Sequence, residues 1–231
     1  MKLLAIDTAS TLCAACVYDT AGDAELGRAV LDLGKGHAEA LMGVIDDALE
    51  VAGATYADLG AIAVSIGPGS FTGIRVGVSA ARGLALALKL PAYGVTTLSA
   101  IAEAARGDFP GRRILAAIDA KRGELYVEDH AADGSLTGGP MIVDAADAAL
   151  LVGGAPPVLA GSGSTVVEAA ARAAGVSPGP QYAESAATAD IAIYARLAAS
   201  GRVWGSPPRP LYLRGPDARP QEGFALARQD V

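Results

Sequence analysis

Two short apolar runs, each ending in aspartate, constrain this chain more than any other feature. Leu3-Leu4-Ala5-Ile6-Asp7 opens it, and Ile114-Leu115-Ala116-Ala117-Ile118-Asp119 recurs near its middle. Each has the length and apolar character of a buried strand stopped by a polar turn, and each is followed by two more strand-like runs and then a helical one. In the first half, strands are expected over Lys2 to Ile6, Leu12 to Tyr18 and Glu25 to Leu33, with Gly34-Lys35-Gly36 breaking the third. His37 to Ala52 carries Leu41, Val44, Ile45, Ala48 and Leu49 at helical spacing and closes on Gly53. Ala61 to Ile66 reads as a buried strand, Ser70 to Leu90 as a long helix stopped by Pro91, Ala92 to Val95 as a strand and Leu98 to Ala105 as a helix.

After a break at Gly107 to Gly111 a similar order restarts. Ile114 to Asp119 and Gly123 to His130 read as strands, and Asp133-Gly134 turns into a third. Asp144 to Leu151 reads as a helix, Val158 to Ala160 as a strand, and Thr165 to Ala174 and Ala187 to Ser200 as helices. The order βββαβαβα, followed by a shorter and less regular repeat, predicts a duplicated α/β architecture, with residues 1–106 in one lobe and 107–231 in the other. The stretch from Gly205 to Gln221 is rich in proline and has little periodicity.

Composition narrows the function classes. With 52% hydrophobic and 19% charged residues the chain has a globular balance, not a disordered one. A net charge of −7 makes it a poor candidate for direct, phosphate-led nucleic-acid binding, so no direct nucleic-acid contact is expected. No apolar run approaches the ~20 residues that span a bilayer, and Asp7 comes too early for a signal-peptide core. No membrane association and a cytoplasmic location are the expectations. Cys13 and Cys16 are spaced C-x-x-C, but on a strand they point to opposite faces, which argues against a shared metal or a disulfide.

The loop Ser65-Ile66-Gly67-Pro68-Gly69-Ser70-Phe71-Thr72-Gly73-Ile74-Arg75-Val76-Gly77 invites a phosphate reading. It is not a P-loop, because no lysine follows it before Lys89. Nor does it match G-x-G-x-x-G: Gly67, Gly69 and Gly73 give one residue too many, and the acidic residue expected about twenty positions on is missing. Instead Gly69, Gly73, Gly77 and Ala81 recur every four residues, a helix stripe with almost no side chain, and Ser70 is placed to cap the helix. Glycine inside a helix costs roughly 1 kcal/mol against alanine, so the stripe has a use: close approach of another backbone, in this chain or in a second protein. Phosphate contact at the free N–H groups of the helix start is the competing use.

Three further sets carry weaker signals. Asp7, Thr8 and Ser10 follow a strand and could hold a magnesium nucleotide, or merely bond their own turn. Asp119 sits at a strand turn, and Gly161 and Gly163 lie between a strand and a helix; both places admit a nucleotide or a tight turn. His37 opens its helix beside Glu39 with no nucleophile arranged near it. No catalytic residue and no metal-ligand set is singled out.

Several stretches together resemble one family: L-L-A-I-D-T-A-S at 3–10, G-H-A-E-A-L-M at 36–42, G-P-G-S-F-T-G-I-R-V-G-V-S-A-A-R-G-L-A at 67–85, A-I-D-A-K-R-G-E-L-Y at 117–126 and P-L-Y-L-R at 210–214. They are similar to the TsaB (YeaZ) family of bacterial tRNA threonylcarbamoyladenosine biosynthesis proteins. That resemblance implies the actin/hexokinase/Hsp70-like (ASKHA) fold, two βββαβα lobes with the second abbreviated. It also implies a catalytic paralogue, TsaD, which transfers the threonylcarbamoyl group from threonylcarbamoyl-AMP to N6 of the adenosine 3′ to the anticodon, and an ATPase, TsaE. Where TsaD carries H-x-x-x-H, this chain carries Thr97 and Ile101, which implies a non-catalytic subunit. The partner contact implied by the family is built from the first-lobe helices: His37, Leu41, Ile45, Gly69, Ser70, Gly73, Gly77 and Ala81, with homodimer and heterodimer competing for it. No firmly bound cofactor is implied, and ATP or ADP at the partner interface stays open. The competing function is an independent ATP-binding or ATP-hydrolysing enzyme of the same fold. A peptidase has no nucleophile–base pair to support it.

Overall fold

The computed structural model describes residues 1–177 and 186–214. Strands β1 (Lys2–Asp7), β2 (Leu12–Asp19) and β3 (Ala24–Asp32) form an antiparallel meander. Helix α1 (His37–Val51) and a 3-10 turn at Tyr56–Asp58 lead to β4 (Leu59–Ser65), which joins β1 in parallel. Helix α2 (Phe71–Leu88) crosses to β5 (Ala92–Val95), and α3 (Thr97–Asp108) ends the first half. The second half repeats the plan with β6 (Ile114–Lys121), β7 (Glu124–His130), β8 (Leu136–Asp144), α4 (Ala145–Leu150), β9 (Val158–Ala160), α5 (Ser164–Ala173) and α6 (Ile191–Ala199).

The first sheet runs β3-β2-β1-β4-β5 and the second β8-β7-β6-β9. Position for position the second is the first without its last strand. This is a duplicated α/β architecture with the second half abbreviated, as the resemblance implies, and the two aspartate-ending runs are the strands β1 and β6.

Period-two alternation decides what each face of the first sheet holds. Leu4, Ile6, Cys13, Ala15 and Val17 turn toward α1 and α2, where they meet Leu41, Ile45, Ile74 and Val78. Leu3, Ala5, Ala14, Cys16 and Tyr18 turn to the opposite side. The cysteines are therefore on different faces, free and buried.

The opposite face is covered by a helix from the other half of the chain. α6 lays Ile191, Tyr194, Ala195 and Leu197 on Leu3, Ala5, Cys16, Ala61 and Ala63. Conversely α3 leaves the first sheet and packs Leu98, Ile101, Ala102 and Ala105 on Ile114, Ala116, Ile118, Val158 and Ala160. The halves thus exchange a helix. Each fully buried Leu or Ile in such a layer contributes about 1.5–3 kcal/mol, so each sheet draws several kcal/mol from the borrowed helix.

Helix limits differ from the sequence reading by up to four residues, and two of the differences have a visible local cause. α6 begins at Ile191, not Ala187, because Asp190 is its N-cap: Oδ1 accepts from the Ala192 N–H at 2.9 Å, while Thr188 turns its hydroxyl inward. α2 stops at Leu88, where Lys89 takes a left-handed conformation (φ 57°) two residues before Pro91. At 18 residues α2 is also long and apolar enough to cross a membrane by length and composition alone, contrary to the expectation that no such run exists. Here it lies on the sheet, with Gly73, Ile74, Gly77, Val78 and Ala81 buried. Of the proline-rich stretch, residues 215–221 lie outside the described residues.

Candidate functional site

The glycine stripe meets its neighbour inside the chain. Ser70 caps α2, its Oγ accepting from the Gly73 N–H at 3.2 Å. The turn that follows β1 lies directly against the first two turns of the helix. The Ser70 N–H donates to the Ala9 carbonyl at 2.7 Å, and the Thr8 hydroxyl donates to the Gly73 carbonyl at 2.7 Å. A Cβ added at Gly69, Gly73 or Gly77 would come within 3.0 Å of Ala9 O, Thr8 O or Thr8 Oγ1 respectively. Close backbone approach is therefore what the stripe serves, with the chain's own Asp7–Ala9 turn as the backbone.

This corrects the expected interface. Gly73, Gly77 and Ala81 are buried against β1 and β4, and Leu41 and Ile45 are buried on the sheet at 2% and 0% exposure. His37 is buried too, its Nε2 3.2 Å from the Leu12 carbonyl. The physical reason is layering: an apolar helix stripe in an α/β fold is claimed first by the sheet beneath it. Of the eight residues expected to meet a partner, only Gly69 and Ser70 are exposed.

One position along each helix, the surface is different. α1 and α2 lie side by side and leave a groove of about 400 Å³ between them, floored by Leu41 and lined by Ala38, Met42, Thr72, Arg75, Val76, Ser79 and Ala80. Met42 and Phe71 are exposed beside it. The Arg75 guanidinium lies 3.7 Å from the Phe71 ring centroid and donates from Nε to the Tyr212 hydroxyl at 2.7 Å. Tyr212 in turn stands 5.5 Å from the Phe71 ring, in a segment fixed by the Leu211 N–H donating to the Ile66 carbonyl. This apolar, partly cationic groove lies outside the two patterned rows of the sequence, Leu41 and Ile45 on α1 and Gly69, Gly73 and Gly77 on α2. The signal available was the exposed methionine one step from Leu41.

The candidate nucleotide residues fall into two groups, one per lobe. Asp7 and Thr8 are buried. The Asp7 carboxylate accepts from the Ala9 N–H at 2.9 Å through Oδ1 and from the Thr188 hydroxyl at 2.5 Å through Oδ2. Thr188 also shares a hydrogen bond with the Tyr194 hydroxyl at 2.8 Å. Burial raises the Asp7 carboxyl above its usual range, and the Thr188 bond only partly offsets this. Each carboxylate oxygen thus takes one hydrogen bond from the fold. Ser10 is spent locally, accepting from the Leu12 N–H at 3.2 Å.

In the second lobe Asp119 accepts from the Lys121 N–H and from Lys121 Nζ, which together hold its carboxyl below the usual range. Its own N–H donates to Ser162 Oγ at 3.2 Å, which brings it to the Gly161–Gly163 turn. Gly161 has φ +94°, and a Cβ there or at Gly163 would press on Ala117. The turn is thus pinned to β6, with the Gly163 N–H donating to the Ala117 carbonyl at 2.9 Å. Thr97 is fully buried, and Ile101 is 3% exposed in the core between α3 and β6. The Ile101 side chain has no atom that can bind a metal, and Thr97 presents a buried hydroxyl. Among the described residues no group of three or more His, Cys, Asp or Glu side chains is placed to share an ion.

The family model for TsaD, tRNA N6-adenosine threonylcarbamoyltransferase, matches residues 32–158. The Escherichia coli tRNA threonylcarbamoyladenosine biosynthesis protein TsaB is 37% identical over 133 residues, a match covering 58% of this chain and 56% of that protein. The chain thus spans little more than half the length of that relative. The uncharacterized protein Rv3421c of Mycobacterium tuberculosis is 36% identical over 94% of both chains. Among solved structures, a Pseudomonas aeruginosa protein described as similar to the peptidase YeaZ superposes with TM-score 0.76 at 27% identity, covering 92% of this chain and 99% of its own. Duplicated lobes, a capped glycine helix folded onto the β1 turn, and relatives on both the sequence and structure side lead to one assignment: the chain belongs to the TsaB/YeaZ family.

Proposed function

We propose that the chain is a non-catalytic subunit in tRNA threonylcarbamoyladenosine biosynthesis. In this reading it acts with a TsaD-like catalytic paralogue and a TsaE-like ATPase. The paralogue transfers the threonylcarbamoyl group from threonylcarbamoyl-AMP to N6 of the adenosine 3′ to the anticodon. The observation that carries the reading is the groove between α1 and α2. It is an exposed apolar surface beside the family's most specific motif, and Met42, Val76 and Ala80 offer it to another protein while the glycine stripe keeps α2 seated on the turn after β1. Thr97 and Ile101, in place of two histidines, support an accessory role over a catalytic one. An acidic chain fits a scaffold whose partners hold the tRNA. The reaction sets the work in the cytoplasm.

A homodimer through the same groove competes with the heterodimer, and ATP or ADP at the partner interface is part of the proposal. The test is co-purification with the TsaD-like paralogue from cells expressing both. Met42→Asp should abolish the complex while leaving the melting temperature within about 1 °C, since Met42 is exposed. Normal threonylcarbamoyladenosine in tRNA from cells lacking this chain would refute the role. The competing reading, an independent ATP-using enzyme, draws on Asp119 and the Gly161–Gly163 turn. Calorimetric binding of magnesium-ATP to the isolated chain would favour it.

A further inference from the structure

No motif marks Glu128, yet it is the one fully buried glutamate among the described residues, at 0% exposure on β7. Its carboxylate is built into a cluster of donors. Thr96 Oγ1 donates to Oε2 at 3.0 Å, and the Ser99 hydroxyl and His130 Nε2 both address Oε1, the latter at 2.8 Å. Thr96 also caps α3, accepting from the Ser99 N–H at 2.9 Å. Because His130 Nε2 faces a carboxylate, an uncharged ring carries its one proton there and leaves Nδ1 able to accept. His130 is 6% exposed, and among the described residues Nδ1 has no hydrogen-bond partner.

The ring lines a cavity of about 240 Å³ closed by the β7–β8 turn and the chain leaving α6. The opposite wall is apolar: Leu136, Leu197, Val203 and the indole of Trp204. The charges at its edge are already matched. Glu103 takes two bonds from the Arg202 guanidinium, each at 2.8 Å, and a third from Arg106. Glu128 is satisfied by its three donors.

We propose that this cavity is a binding site for a small, uncharged, flat ring bearing one N–H or O–H donor. Three observations fix that class. The volume lies below the roughly 300–1,000 Å³ typical of sites for drug-sized molecules, so one or two fused rings fill it. The paired charges offer nothing to an ionised ligand, whose desolvation would go unrepaid. Among the described residues the ring nitrogen left over is an acceptor in a cavity whose other wall holds one indole, so a ring donor can bind it while its face lies on Trp204.

Trp204 is the chain's one tryptophan, so its emission reports the cavity directly. The full chain is titrated with benzimidazole above neutral pH, where the probe is uncharged, and in parallel with N-methylbenzimidazole, which lacks the donor. The expected result is a saturable change in emission, with the methylated probe at least about tenfold weaker. Leu136→Phe, at an exposed position on the cavity wall, should abolish the change without unfolding the protein. His130→Gln, which keeps a donor for Glu128 but removes the ring acceptor, should bring the two probes to equal affinity. No saturable change, equal affinity of both probes for the unaltered chain, or unchanged binding by Leu136→Phe would each overturn the proposal.

Discussion

Gly73→Ala and Gly83→Ala place one methyl group at two sites on the same helix and should move stability in opposite directions. At Gly83 a Cβ meets nothing within 4 Å, so the substitution gains only helix propensity, about 0.5–1 kcal/mol. At Gly73 the new atom falls within 3.0 Å of the Thr8 carbonyl oxygen, closer than folded proteins allow. The helix start or the β1 turn must then move. That movement strains the Thr8 Oγ1 bond to Gly73 O and the Ser70 N–H bond to Ala9 O, each 2.7 Å now and each contributing about 1 kcal/mol. Adding an overpacking cost of about 1–3 kcal/mol and subtracting the propensity gain leaves a net loss of about 3 kcal/mol. For a domain of this size that lowers the melting temperature by about 6–12 °C. Urea denaturation of the two variants beside the parent chain measures it. A Gly73→Ala variant as stable as the parent would show that the stripe is not pressed against the Asp7–Ala9 turn. Any loss of partner binding on substituting Gly73 would then need another origin than an unseated helix.

Asp7 and the cysteines give two further expectations. The folded state raises the Asp7 carboxyl above its ordinary 3.8. The stability this group contributes is therefore complete below the unfolded value and lost as pH rises through the folded one. Asp7→Asn removes that contribution, so its urea midpoint should fall more steeply on acidification than the parent's; parallel profiles would show that burial does not govern this carboxyl. Cys13 and Cys16 are both buried, and desolvation pushes both thiols up, so a thiol-specific reagent should label neither until the chain unfolds. Labelling of either in the native protein faster than unfolding would contradict the assignment of each to a sealed sheet face.

Periodicity made the strands, α1, α2 and the duplicated order legible, and Ser70 as a cap followed from its place before the helix. What periodicity cannot supply is an address. Gly69, Gly73 and Gly77 announced a close approach, but residues far apart in the chain had to be folded together before Thr8 and Ala9 could be recognised as the backbone approached. The same limit moved the candidate interface. The spacing of Leu41 and Ile45 identifies a buried face of α1, and the sheet beneath was the nearest claimant; the surface left for others is the neighbouring row with Met42 and Arg75. Glu128 was illegible for another reason. In Glu124-Leu125-Tyr126-Val127-Glu128-Asp129-His130 the acidic residues look like the solvent side of a strand, and only the donors from Thr96, Ser99 and His130 make a buried one tenable. The start of α6 was misplaced because Ala187-Thr188-Ala189 suits a helix, whereas Thr188 is drawn away to Asp7.

The exchanged helices also bear on how the protein is made. When the ribosome has delivered β5, every strand of the first sheet exists, but the helix that covers one of its faces is still about 100 residues from synthesis. At roughly 5–20 residues per second, that is an interval of about 5–20 s. During it Leu3, Ala5, Cys16, Tyr18, Ala61 and Ala63 lack the α6 residues that pack on them in the folded chain. A newly made first half is thus a sticky intermediate by design of its topology, dependent on whatever shields apolar surface at the ribosome until residues 191–199 arrive.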